Sequence, residues 1–402
     1  MNIRNWNVEQ NSRVNVLPML LLFFSAAVVY MPANRIGLWV IYPILFIFAG
    51  LKFKLGFDKN CNYYYIIYVC AILSLIAAKN INLGISWLFI MLTAFIGFFV
   101  FYSFSHNTAN IKWLYGVFVV YNAGMWLYII QHGIASVDIT IERAGGGGTN
   151  SSIINANDLS YMTLYFNSAM WMLLIGMRDK VTGWIRFLLP ITLFIFSFYV
   201  ALTFASRQIL ILQLPLILGF LYIDIFYSNR ISIRRSKVRS TVLLIIVMLV
   251  LVVLFVKIGE NIFAGSVLAS RYVDSDEDIR ETLFKLAWKL GTENPILGIG
   301  AGNFVVYTQG PFSHSTYAEL FACCGIVSAI VFILWLIQST RIQWKRYKNT
   351  NDSYFLYMML ICIVWAAANI FYVYISSIWL LAFWGLILGS SDAYYKRLMQ
   401  SC

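Results

Sequence analysis

The chain has 402 residues, of which 61% are apolar, 17% aromatic and only 11% charged. Soluble domains carry about 25% charged residues, so this composition excludes an ordinary water-soluble globule. The formal charge of +12 would suit a nucleic-acid partner only if it were gathered into one basic surface, and it is not.

Apolar stretches near 20 residues each span a bilayer core of roughly 30 Å. The sequence offers twelve: 14–31, 36–50, 62–78, 84–104, 113–131, 159–176, 187–204, 208–227, 240–258, 316–338, 354–372 and 373–390. The second is short and the last two nearly abut, so ten to twelve crossings are expected. The fold class is all-α, a polytopic membrane bundle forming one integral-membrane domain over 1–402. Residues 1–13 are polar and no small-residue cleavage site follows the first apolar run, so no cleavable signal peptide is expected.

With both termini cytoplasmic, the inner segments are the N-terminus, 51–61, 105–112, 177–186, 228–239, 339–352 and the C-terminus. They hold 20 of the 29 Lys and Arg residues, among them Arg230, Arg234, Arg235, Lys237 and Arg239 in one loop. The other face keeps nine, in loops richer in Asp and Glu. This is the positive-inside asymmetry, and it argues against nucleic acid as a partner. The six cysteines, Cys61, Cys70, Cys323, Cys324, Cys362 and Cys402, lie in spans or on the inner side, with neither a disulfide framework nor a metal-ligand spacing.

Two outer loops exceed turn length, 132–158 and 259–315, and long loops on a rigid scaffold are where function usually sits. The first contains Arg143 and Gly145 to Gly148, then Asn155-Ala-Asn157. The second has its own predicted helix. Ser275-Asp-Glu-Asp278 reads as an N-cap with an acidic first turn. Ile279, Leu283, Ala287 and Leu290 form an apolar stripe, and Glu281, Lys285 and Lys289 share another face. Gly291 is expected to stop this helix and Pro295 to prevent its return. Such an amphipathic helix suits either the bundle surface or the membrane interface.

Arg207 follows Ser206 where two apolar spans meet in a tight outer turn. A charge at that depth is by default functional; the alternative is a snorkelling arginine. Arg271 and Arg280 flank the acidic cap, and guanidinium is the favoured planar fork for phosphate oxygens. For Arg280 the bland alternative is an ion pair with Asp276 or Glu277. His314 directly precedes a span, and its pKa range suits proton transfer near neutral pH. His106 falls on the cytoplasmic face and His132 at a loop boundary. Thr316-Tyr-Ala-Glu319 reads as a capping box opening the next helix. Neither glycine run is a nucleotide motif: no Gly-Lys-Ser/Thr follows Gly145 to Gly148, and no βαβ unit surrounds Gly298-Ile-Gly-Ala-Gly302. Both are expected to be flexible or tightly turning outer loops.

The segment Asn294-Pro-Ile-Leu-Gly-Ile-Gly-Ala-Gly-Asn-Phe304, followed by His314-Ser-Thr-Tyr-Ala-Glu319 and Gly325, resembles the signature region of the O-antigen polymerase and O-antigen ligase family. The family pattern is Pro-Leu-Gly-x-Gly-x-Gly, then His-Asn-x-x-x-Glu opening a membrane helix. Ser206-Arg207 resembles the Ser-Arg that begins an earlier family helix, and Arg143-Ala-Gly with Asn155-Ala-Asn157 its earlier outer segment. Ser315 departs from the pattern, where Asn is commoner. The resemblance implies a glycosyltransferase of the bacterial inner membrane, active on the periplasmic side without metal or nucleotide cofactor. Its donor would be an undecaprenyl-diphosphate-linked oligosaccharide and its acceptor a second glycan, with membrane lipids and a chain-length regulator as further partners. It implies catalytic roles for His314, Arg280 and Arg207, and substrate-binding roles for Arg271, Arg143, Asn157, Glu319 and Asn303. His314-Ser-Thr-Tyr-Ala-Glu-Leu320 looks more like polymerases than ligases. A ligase to lipid A-core and a non-catalytic lipid-linked glycan flippase are the alternatives. A flippase should line several spans with charge, whereas here charge gathers on one outer face.

The charge division makes a topological prediction. A cysteine placed at position 235 of a cysteine-free variant should resist an impermeant thiol reagent in intact spheroplasts and react once the membrane is opened. Labelling in intact spheroplasts would reverse the orientation.

Overall fold

Short polar punctuation between apolar runs sets where each helix begins. Asp58 accepts from the Asn60 amide at 2.9 Å, Asn80 from Leu83 at 3.1 Å and Asp352 from Tyr354 at 2.9 Å, each satisfying a first-turn amide that lacks an intrahelical partner. The computed structural model describes residues 13–29, 36–53, 58–132, 137–138, 154–178, 181–203, 207–227, 279–310, 312–373 and 375–400. Within them lie α1 (Val16–Ala27), α2 (Tyr42–Phe53, extended by a π turn, Gly37–Ile41), α3 (Lys59–Ser74, tightening into Leu75–Ala77), α4 (Ile81–Ser105) and α5 (Thr108–His132). There follow α6 (Ala156–Trp171, continued by Met172–Gly176), α7 (Gly183–Thr203), α8 (Arg207–Phe226), α9 (Ile279–Glu293), α10 (Phe304–Thr308), α11 (Thr316–Thr350), α12 (Ser353–Ala368) and α13 (Ile378–Gln400).

The architecture is helical, as expected, with one addition. Val137–Asp138 and Ile154–Asn155 pair as parallel two-residue strands, β1 and β2, which join the two ends of the first outer loop. Six of the described helices are long and apolar enough to cross a membrane: α3, α4, α5, α7, α8 and α11. Stretches within α1, α2 and α12 are apolar but shorter. The expected crossings near 159–176 and 373–390 form helices α6 and α13. Their polar content (Ser160, Thr163, Asn167 and Ser168; Ser390, Ser391 and Asp392) makes them less apolar than a lipid-facing span, and all but Asp392 are buried within the bundle. The twelve expected crossings are therefore not established, and the stretch 240–258 lies outside the described residues.

The central contact is between α4 and α13. Gly385 and Gly389 form a small-xxx-small seam on α13, and a Cβ at Gly385 would meet the Phe98 carbonyl at 2.3 Å. Small residues let membrane helices approach closely where lipid supplies no hydrophobic drive. Around this pair, α11 packs on α3, α12 and α9, while α8 packs on α12, α7 and α6. Trp335, Trp365 and Trp384 are fully buried among these helices, with Trp365 and Trp384 stacked at 4.4 Å. Two carboxylates within the bundle have arginine partners. Arg346 on α11 binds Asp392 on α13, and the Asp392 carboxylate lies 3.1 Å from the Tyr102 hydroxyl of α4. Arg186 and Tyr357 converge on the buried Asp224.

α11 is not continuous. Gly325 has φ 81° and ψ 175°, which breaks the helix near its ninth residue. The break leaves Ala322 and Cys323 carbonyls, and the Ile326 amide, without their usual intrahelical partners. The glycine-rich segment supplies all three: Ile299 donates to Ala322 O at 2.8 Å, Gly300 donates to Cys323 O at 3.1 Å, and Ile326 donates to Pro295 O at 2.8 Å. The segment is a buried wedge rather than the flexible loop expected as one option. It turns tightly because Gly298, Gly300 and Gly302 have φ of 70°, 100° and 63°. Its far side is held by the α3–α4 connection, where Ala301 donates to Ser74 Oγ at 2.9 Å and Asn303 Oδ1 accepts from Asn80 at 2.7 Å.

A Cβ at Gly325 would sit 2.0 Å from the Ile296 carbonyl oxygen. Gly325→Ala should therefore lower the thermal midpoint in detergent sharply, by several kcal/mol of clash and left-handed strain. Gly50→Ala, where a Cβ meets nothing within 4 Å, should leave it unchanged or raised.

Candidate active site at the entrance of α11

His314 is one of three described non-glycine residues with positive φ, at 55°. A left-handed non-glycine residue persists only where its surroundings over-determine it. Here the neighbours close around it. The Ser313 hydroxyl donates to Ser315 O at 3.0 Å and accepts from the Ser315 amide at 3.3 Å. The Ser313 amide in turn donates to Glu319 Oε2 at 2.9 Å. Ser313, Ser315 and Glu319 are buried at 1%, 1% and 0% exposure, while His314 between them is half-buried, with its Nε2 shielded from solvent.

The cap differs from the capping box expected at Thr316. Ser315 is the N-cap, its Oγ facing the Ala318 amide at 3.5 Å, and Glu319 reaches past it to Ser313. The reason is local: Thr316 is already engaged, its amide and hydroxyl donating to Tyr372 O at 3.0 and 2.8 Å and its amide also to Asn369 O at 2.9 Å. The departure from the family's Asn is thereby explained, since Ser and Asn serve about equally well as N-caps.

The 369–372 turn after α12 gathers more than α11. Gln208, the second residue of α8, donates to Phe371 O at 3.2 Å and accepts from the Tyr161 hydroxyl of α6 at 3.0 Å. The Tyr161 ring lies 4.9 Å from that of Tyr372. The N-terminal turns of α8 and α11 thus meet at one turn, each bringing the positive end of a helix dipole, and the second turn of α6 joins them through Tyr161. Tyr161, Gln208 and the carbonyls of 369–372 were missed by sequence reasoning. The only available signal was a polar residue inside each of two apolar spans.

Arg207 is the first residue of α8, and Asn157 lies in the first turn of α6. The Arg207 backbone therefore belongs to this convergence. Arg280, half-buried, lies in the first turn of α9, the helix packed on α11. Asn303 is elsewhere: fully buried, its amide clamps Asn80 and Ala301 O behind the glycine wedge. Glu319 faces inward, with Oε1 3.6 Å from Cys323 Sγ. His132 ends α5, its ring bonded to Tyr128 O at 3.0 Å and stacked on Tyr128. His106 follows α4 with Nδ1 2.8 Å from Tyr102 O, and burial lowers its pKa. Arg143, Arg271, Gly145 to Gly148 and the predicted cap at Ser275 lie outside the described residues. So do Asp276 and Glu277, the expected ion-pair partners of Arg280.

The α9 helix itself matches expectation in its apolar stripe and in the Glu281–Lys285 pair at 2.6 Å, but it runs through Gly291 to Glu293. Gly291 is a packing point, since a Cβ there would strike the Phe321 ring at 2.5 Å.

No curated protein matches the chain. The family model described as O-Antigen ligase matches residues 191–333, from the middle of α7 into α11. That range holds Arg207, Arg271, Arg280, Asn303, His314 and Glu319, and leaves Arg143 and Asn157 outside. Through this segment the chain is similar to the O-antigen polymerase and ligase family, whose members are membrane enzymes of glycosyltransferase type.

Proposed function

We propose that this protein is a polymerase of O-antigen or a related surface polysaccharide, acting on undecaprenyl-diphosphate-linked repeats at the periplasmic face of the inner membrane. The observation that carries the reading is His314, a strained, half-buried imidazole fixed at a helix entrance where the N-termini of α8 and α11 meet. An acceptor sugar hydroxyl attacks the anomeric carbon of the donor glycan. The hydroxyl proton passes to the His314 ring. The bond from the anomeric carbon to the diphosphate oxygen breaks, and its electron pair leaves with the diphosphate. Direct displacement inverts the anomeric centre.

The charge gathering on the diphosphate needs fixed positive groups, and preorganised donors in a dry site contribute several kcal/mol. The dipoles of α8 and α11, together with Arg207, Arg280 and Arg271, suit that task. Glu319 is a positioning residue in this scheme: it holds Ser313, and Ser313 holds Ser315, the two neighbours of His314. A ligase transferring the same donor's glycan to lipid A-core is the second reading, favoured by the description of the matched family model.

Three substitutions test the roles. His314→Ala should reduce transfer from a purified lipid-linked donor by 10²–10⁴-fold while donor binding survives; wild-type turnover would remove His314 from the chemistry. Arg280→Lys should lose much of the activity at normal protein level, because an ammonium lacks the bidentate fork. Glu319→Ala leaves the Ser313 amide without its buried acceptor, a loss of roughly 1–3 kcal/mol. It should lower kcat with little change in KM, and Glu319→Gln should recover most of it. In a deletion strain, single repeats on lipid A-core indicate the polymerase, whereas long lipid-linked chains with none on lipid A-core indicate the ligase.

A further inference from the structure

α9 presents three kinds of surface. Leu283, Ala287 and Leu290 are 7%, 0% and 6% exposed and pack toward α11. Glu281, Lys285, Lys289 and Glu293 carry two exposed i,i+4 ion pairs. On one flank between these faces stand Phe284 and Trp288, 42% and 55% exposed, with parallel rings 6.5 Å apart. With Lys285 they border an open cleft. Water is a poor solvent for that flank.

Its depth follows from its neighbours. Trp288 lies 5.1 Å, ring to ring, from Phe321. Phe321 is five residues into α11, and a rise of about 1.5 Å per residue puts it about 7.5 Å along that span. Immediately beyond, Ile296 is 76% exposed, and Ile326, Val327 and Ile330 are 44%, 48% and 49% exposed along α11. An exposed aliphatic stripe on a helix long and apolar enough to cross a membrane is a lipid-facing stripe. The Phe284–Trp288 flank continues it toward the head-group level, where Trp is enriched.

We infer that α9 is an interfacial helix whose Phe284–Trp288 flank is seated in the phospholipid leaflet nearest the α11 entrance, at the boundary between head groups and acyl chains. One edge grips the bundle, the next enters lipid and the charged face meets water. The inference rests on the membrane character of the chain and not on the transfer reaction.

The test is position-specific photocrosslinking in native membranes. The photoreactive residue p-benzoylphenylalanine would replace Trp288, Phe284 or, as a control, the exposed Thr282 across the helix. After irradiation, mass spectrometry of the purified intact chain should show phospholipid adducts at 284 and 288 several-fold above those at 282. Equal yields at all three positions would overturn the proposal. So would adducts at 284 and 288 formed only with another protein, or only with a polyprenyl diphosphate.

Discussion

Inside a bilayer a backbone amide or carbonyl finds no water, and every break in a helix must be repaired by protein. The site of this molecule depends on one such repair. Gly325 interrupts α11, and the segment from Pro295 to Gly300 restores the lost bonds from outside the helix. Gly298 and Gly300 allow that segment to enter backbone-first, close enough that a Cβ at Gly298 would meet the Cys323 carbonyl carbon at 2.5 Å. What reads in the sequence as a turning loop is a joint in space. Its product is a short, rigid N-terminal stub of α11, about nine residues long, with His314 at its tip.

Rigidity at that tip is built from small polar residues rather than charge pairs. Ser313, Ser315 and Glu319 form a closed set of bonds under His314, and Thr316 ties the same turn to the end of α12. The α12 turn also holds α8 through Gln208 and meets α6 at Tyr161. The proposed transfer reaction would gain from such preorganisation, because fixed donors need no rearrangement as charge develops.

Much of this was legible in the sequence where one rule dominated. Apolar length located most helices, and the 3.6 period of Leu283, Ala287 and Leu290 described α9 well. Legibility failed where a long-range partner changed the meaning of a local signal. Gly291 reads as a stop signal until Phe321 is seen filling the space beside it. Thr316 reads as a cap until Tyr372 and Asn369 are seen occupying it, which moves the cap to Ser315. Asn303 stands within the family-like signature, yet Asn80, more than two hundred residues earlier, claims its amide. Tyr161 and Gln208 gave only the weak sign of being polar in an apolar run. In each case the decisive partner is distant in the chain, and no local pattern can encode it.

The wedge leans on both halves of the molecule: its inner side mends α11, while its outer side rests on Ser74, Ala78 and Asn80 in the turn between α3 and α4. The wedge belongs to the stretch matched by the family model, 191–333, while the residues it rests on lie outside that stretch. A change at Ser74, Ala78 or Asn80 would therefore be felt at the α11 break, more than two hundred residues later in the chain.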